Sequence, residues 1–278
     1  MNSALSDTNV DAANKPFASS DMAFDFWSDA HCLAAEQLGF AINSEIPLTL
    51  LLGDAGAGKS MILRSIFEEL SQAHLLGHLD DASRMGVFPC NTILTAFGAK
   101  PETETKDTPV SVLHSSFASA RKSHGLPTLL VDGADNFKDE TLAQIFEMAR
   151  LTDSQNGPVF KVILCGNPDL PDKLQPRFAG LIGPSIRVGT MSDQDAEEYI
   201  LHRLGRANYR SVMFSDDALK TIVKYAKGSP RLINTVCQAA LDEFQGSTET
   251  QIETPMVLKC FVLAGYALRR ERETDALG

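Results

Sequence analysis

Residues 48–52, Leu-Thr-Leu-Leu-Leu, form an apolar run interrupted only by Thr49. Similar runs recur at 128–132, 159–165 and 186–188, with a weaker one at 75–79. Between them the apolar positions fall at helical spacing, over about 60–72, 91–97, 110–123 and 139–151. Continuous apolar strands alternating with helices predict a mostly parallel sheet covered on both faces, because strands buried on both sides cannot alternate with polar residues. After residue 190 the strand signal stops and helix signals take over. Ser192-Asp193-Gln194-Asp195 reads as a capping box with Asp in place of Glu. Ser215, followed by Asp216 and Asp217, opens a second helix that is expected to end near Gly228 in a left-handed cap. The expected organisation is a polar, flexible extension over 1–22, an α/β domain over 23–190 and a small all-helical domain over 191–278.

Composition narrows the class. No apolar run approaches the ~18–20 residues that a membrane helix needs, and no basic segment followed by an apolar core opens the chain. The expected location is therefore cytoplasmic, without membrane insertion. Five cysteines, Cys32, Cys90, Cys165, Cys237 and Cys260, are scattered without a C-x-x-C pair, so they read as reduced core residues rather than zinc or redox motifs. A net charge of −11 argues against bulk attraction to nucleic acid or anionic lipid.

The chemistry begins where the first strand ends. Gly53-Asp54-Ala55-Gly56-Ala57-Gly58-Lys59-Ser60, followed by Met61, has the G-x-x-x-x-G-K-S spacing of a phosphate loop. Glycines allow backbone N–H groups to turn inward and let a phosphate approach without a Cβ in the way. Lys59 is placed to reach β- and γ-phosphates, Ser60 to ligate Mg²⁺, and the helix that follows turns its positive end to the anion. The expected ligand is ATP or GTP with Mg²⁺.

Downstream, Leu129-Leu130-Val131-Asp132 is an apolar strand ending in an aspartate, the pattern that holds the water shell of Mg²⁺ in phosphate-loop enzymes. Gly133 follows it, where many such ATPases carry a glutamate that polarises the attacking water. A missing general base removes about 10²–10⁴-fold of rate, so slow turnover is expected unless Asp135 or a partner substitutes. A switch with feeble hydrolysis and a rescued catalyst both remain open at this point. Asn167, just past the fourth strand, is placed to contact the γ-phosphate or the lytic water. Arg231 falls in the first turn of a helix that Ser229 caps and Pro230 opens. The helix dipole disfavours a cation there, which invites a phosphate-binding role. Arg177, between the fourth and fifth strands, stands where oligomeric ATPases supply an arginine to a neighbouring subunit, a contribution of about 10³–10⁵-fold where it operates.

This set resembles the AAA+ ATPases, and within them the ExeA-like group of general secretion pathway A proteins, with transposition-helper ATPases sharing much of the pattern. The segments that carry the resemblance are Pro16-Phe17 through Ile42, Ile93–Gly98, Tyr199–Leu204 and Gly228–Asn234, and it spans roughly 16–260. It implies a P-loop NTPase (AAA+) three-layer parallel sheet followed by a helical lid, ATP rather than GTP, and homo-oligomerisation. It also implies Asp132 as the Walker B aspartate, Asn167 as sensor 1, Arg177 as the finger and Arg231 as sensor 2. Gly133 departs from the pattern, and a role at the envelope by direct anchoring is not expected.

Two functions fit. One is an ATP-driven motor or switch acting on an unidentified protein partner, as in secretion or envelope assembly. The other is an ATP-loaded adaptor on DNA, which a local run of cations, Arg203, Arg206, Arg210, Lys220, Lys224, Lys227 and Arg231, would favour. A small-molecule kinase is a third class, opposed by the helical region and by the lack of an acceptor motif.

Overall fold

The computed structural model describes residues 15–17, 25–79, 89–98, 109–153, 157–174, 180–209, 213–245 and 250–275. The chain divides into two compact units, one of Ala30–Gly189 and one of Met1–Asp29 with Thr190–Gly278.

The first unit is built on a five-stranded, all-parallel sheet. Its strands are β1 (Leu48–Leu52), β2 (Leu76–Leu79), β3 (Thr128–Val131), β6 (Lys161–Gly166) and β7 (Ile186–Arg187). Their order is β2-β3-β6-β1-β7, which places β1 and β6 side by side with Leu52 opposite Gly166. Every residue of β1, β3 and β6 is buried, which is why these strands read as nearly continuous apolar runs. Alternation sorts their side chains into two cores. Leu48, Leu50, Leu52, Leu129, Val131, Val162 and Leu164 face one layer, which contains α3 (Pro89–Ala96), α4 (Pro109–His124) and α5 (Asp139–Ala149). Leu51, Leu130, Ile163 and Cys165 face the other, formed by α1 (Asp29–Asn43) and α2 (Lys59–Leu70). The three-layer parallel sheet expected from the sequence is therefore present. The pattern did not foretell a short antiparallel pair, β4 (Thr152–Asp153) with β5 (Gly157–Pro158), nor the single turn α6 (Leu170–Lys173).

The second unit holds α7 (Asp193–Arg206), α8 (Asp216–Ala226), α9 (Pro230–Phe244) and α10 (Thr254–Asp275) around a core that includes Ile200, Ile222, Ile233, Val236 and Val257. The capping box is formed as expected: the Asp195 N–H donates to Ser192 Oγ at 3.0 Å and the Ser192 N–H to Asp195 Oδ2 at 3.3 Å. Ser215 and Ser229 cap α8 and α9. The left-handed cap of α8 falls on Lys227 (φ 50°), one residue before the expected Gly228, which also has positive φ. A Cβ on Gly228 would come within 2.1 Å of the Met191 carbonyl oxygen, so this glycine is demanded by packing as well as by φ. Phe17, inside the stretch expected to be a flexible extension, is buried in this core.

Candidate functional site

The loop after β1 makes its turn with two left-handed residues, Gly56 (φ 80°) and Gly58 (φ 83°). An L side chain at either would cost roughly 1–2 kcal/mol. Gly58 caps α2, and the first intrahelical bond runs from Ile62 N–H to the Gly58 carbonyl. The N–H groups of Lys59, Ser60 and Met61, in the first turn, have no intrahelical acceptor and carry the positive end of the helix. Asp54, Ala55, Gly56 and Ser60 are exposed, whereas Gly53 and Ala57 are buried and anchor the loop. The Gly53 N–H donates to Gly166 at the end of β6, which fixes the loop to the neighbouring strand. Lys59 folds over the loop, donating to the carbonyls of Gly53 at 2.6 Å and Asp54 at 2.9 Å. From below, His31 of α1 contacts the Ala57 carbonyl through Nε2 at 3.0 Å.

Asp132 leaves the end of β3, half-buried, with its own N–H donating to the Leu79 carbonyl and its Oδ1 accepting from Gly133 N–H at 2.9 Å. Cys165 reports how closely the charged groups converge. Burial pushes its thiol up, the carboxylate of Asp132 adds to that both by its charge and by a hydrogen bond, and Asp135 adds more; only Lys59 pulls the other way. The charges of Lys59, Asp132 and Asp135 thus all act on one buried thiol near the exit of β6.

Residues 43–174 match the family described as AAA domain. The first unit is an AAA domain. General secretion pathway protein A of Aeromonas hydrophila is 25% identical to the chain over 228 residues, covering 78% of this chain and 40% of that protein. The chain thus spans well under half the length of this relative. Similar solved structures include Cdc6p from Pyrobaculum aerophilum (TM-score 0.63, 16% identity, 86% of this chain and 68% of that one). Another is Drosophila ORC bound to DNA (TM-score 0.64, 15% identity, 94% and 67%). At these identities the structures speak for the fold alone, and that fold is the P-loop AAA+ one. The resemblance to the ExeA-like group agrees with both sequence findings.

Within the AAA domain the donor set suits an anion with a divalent cation. Two left-handed glycines turn the loop, and a lysine (Lys59), a hydroxyl (Ser60) and a carboxylate (Asp132) supply the polar groups. Among the described residues no three His, Cys, Asp or Glu side chains group into a metal site of their own, so phosphate oxygens and water would complete the coordination, as is usual for Mg²⁺.

Asp135 lies against the end of β6. Its two carboxylate oxygens accept from the Asn167 N–H at 3.0 and 2.8 Å. A Cβ on Gly166 would lie 2.9 Å from Asp135 Oδ1, so glycine at 166 lets the carboxylate lie on that peptide. Asp135 therefore clamps the loop that carries Asn167. Gly133 takes φ 63° and ψ 38° to open the 3₁₀ turn Ala134–Asn136, a conformation natural to glycine and strained for glutamate. Asn167 is half-buried at the end of β6. Arg177 lies outside the described residues. Arg231 belongs to the other unit, exposed in the first turn of α9.

One expected surface cation is not on the surface. Arg203 is only 4% exposed, and its Nη1 donates to Tyr199 Oη at 2.9 Å and Asn234 Oδ1 at 3.1 Å. It ties α7 to α9 instead of joining a basic face. Arg210 lies outside the described residues, while Lys220, Lys224 and Lys227 are exposed along α8. The sequence offered Asp135 only as a substitute base and did not single out His31 or Cys165, because each contact made here spans distant parts of the chain.

Proposed function

We propose that the chain binds ATP with Mg²⁺ and acts as an ATP-dependent switch or slow motor on a protein partner. What carries this reading is the loop itself: two left-handed glycines at the mouth of α2, Lys59 folded back onto the carbonyls of Gly53 and Asp54, and Asp132 at the end of β3. In this reading residues 53–61 cradle the phosphates, Ser60 and Asp132 hold Mg²⁺, and Asn167 senses the γ-phosphate. Arg177 serves as the finger toward a neighbouring copy and Arg231 as sensor 2. Bound Mg²⁺ would neutralise charge developing on the β- and γ-phosphates. Slow turnover is expected from Gly133, which has no group to polarise water; Asp135, which accepts the Asn167 N–H, is the neighbouring carboxylate that a rescued catalyst would use. The resemblance to general secretion pathway protein A favours a protein client and homo-oligomerisation.

The test is binding of a fluorescent ATP analogue in Mg²⁺. Wild type should bind and Lys59→Ala should not; equal binding by the two would remove the phosphate-loop assignment. Turnover measured together with mass by light scattering separates motor from switch. A second reading, an adaptor on DNA, is favoured by the exposed pair Lys220 and Lys224 at i and i+4 of α8, with exposed Lys227 at its cap. An ATP-dependent, salt-sensitive DNA mobility shift would support it, and no shift at low salt would leave the protein client.

A further inference from the structure

We infer that His31 is a positioning residue that sets the phosphate loop for its anion, an inference that rests on the nucleotide reading above. The ring is 2% exposed and its Nε2 lies 3.0 Å from the Ala57 carbonyl oxygen, so Nε2 carries the proton that this bond requires. The peptide joining Ala57 to Gly58 is planar and trans, so its C=O and N–H point to opposite sides. Holding the carbonyl against a buried ring on the core side aims the Gly58 N–H away from the core, into the concavity where phosphate oxygens would sit. If the peptide flipped, it would present a carbonyl oxygen to the anion, turning an attraction into a repulsion.

The ring does this from close quarters. A Cβ on Gly58 would stand 2.5 Å from His31 Nε2 and 3.1 Å from Cδ2, so the imidazole occupies the side of the loop that glycine leaves open. The left-handed φ of Gly58 and the histidine beneath it are one fitted arrangement. His31 is also rigidly delivered. It shares the buried face of α1 with Ala34, Leu38, Ala41 and Ile42. The far end of that helix is held by Lys161 Nζ, which donates to the carbonyls of Ala41, Ile42 and Ser44. A helix pinned at one end by β6 and packed along its length brings the ring to the loop with little freedom to move.

The experiment compares His31→Leu, which fills similar space without a donor, with His31→Gln, whose Nε2 can reach the same carbonyl. Affinity for a fluorescent ATP analogue in Mg²⁺ is measured well below each variant's thermal midpoint. His31→Leu should bind at least about tenfold more weakly, the equivalent of one lost hydrogen bond and its aimed amide. His31→Gln should stay within about threefold of wild type, since an amide donor replaces an imidazole one. A His31→Leu protein that is folded and binds like wild type overturns the inference, and so does a Gln variant as weak as the Leu one. Should His31→Leu not fold, His31→Asn, a polar side chain that stops short of Ala57, takes its place with the same expected loss. A wild type that fails to bind at all would overturn the nucleotide reading itself, a result distinct from either of these.

Discussion

Among the described residues each unit buries one lysine or arginine side chain, and the two solve the problem differently. In the AAA domain Lys161 is fully buried on β6 and spends its ammonium on main-chain carbonyls at the C-terminal end of α1. In the helical unit Arg203 spends its guanidinium on side chains, Tyr199 and Asn234, which also bond each other at 2.7 Å. A compact ammonium with three donors suits the converging carbonyls and negative dipole of a helix end, whereas a planar fork suits two fixed side-chain oxygens. The lysine pins an element whatever side chains that element carries. The arginine holds a helix pair only while both of its partners are present. The AAA domain thus places its site through backbone, and the helical unit places α9, and with it Arg231, through a side-chain network.

The largest effect expected from breaking this contrast is at Lys161. Lys161→Met should lower unfolding stability of the AAA domain by about 2–3 kcal/mol, because buried carbonyls at the end of α1 lose their donor. Burial holds the Lys161 pKa down to about 8, with Glu45 pulling it partly back up. A base whose native pKa is depressed leaves the folded state with fewer bound protons than the unfolded one between about 8 and 10.5, so stability rises with pH across that window. The advantage of wild type over Lys161→Met, read from urea midpoints, should therefore grow from pH 7.5 to 10. A constant or shrinking difference would contradict the account.

Arg203→Met should cost about 2 kcal/mol in the helical unit, within the range for a hydrogen bond to a charged group. Tyr199→Phe and the double variant complete a cycle in which the two losses are not additive. Additive losses would mean that the network is only an apolar contact. The smallest expected stability change is at Gly133. Gly133→Glu meets no serious clash, since a Cβ there lies 3.4 Å from Asn136 Nδ2. It does force a left-handed glutamate, at roughly 1–2 kcal/mol. Under the switch reading this variant nevertheless raises ATP turnover; unchanged or brisk wild-type turnover would count against it.

Strands β1, β3 and β6 were legible because a strand buried on both faces must be almost wholly apolar, whereas β2, with Gly77 and His78, gave a weaker signal. The phosphate loop was legible because its chemistry is local: one stretch of backbone, its glycines and one lysine. Helix starts at Ser192, Ser215 and Ser229 were legible for the same reason, since a cap bonds within three residues. What escaped was every contact that spans the chain. Nothing near Asp135 announces that it clamps the N–H of Asn167, thirty-two positions on. Lys161 stands in an apolar run with no local sign of a helix end more than a hundred residues earlier. Arg203 reads as a surface cation until α9 brings Asn234 to it.

The sequence by itself determined the period of each element, the turn that faces phosphate and the residues able to hold an anion and a cation. Only the tertiary structure decided which backbone amides are aimed, which carboxylate holds a distant N–H and which cations are buried. The reason is range: propensity, capping and glycine conformation act within a few residues, whereas burial and hydrogen-bond direction are set by whichever distant element the core presses against them.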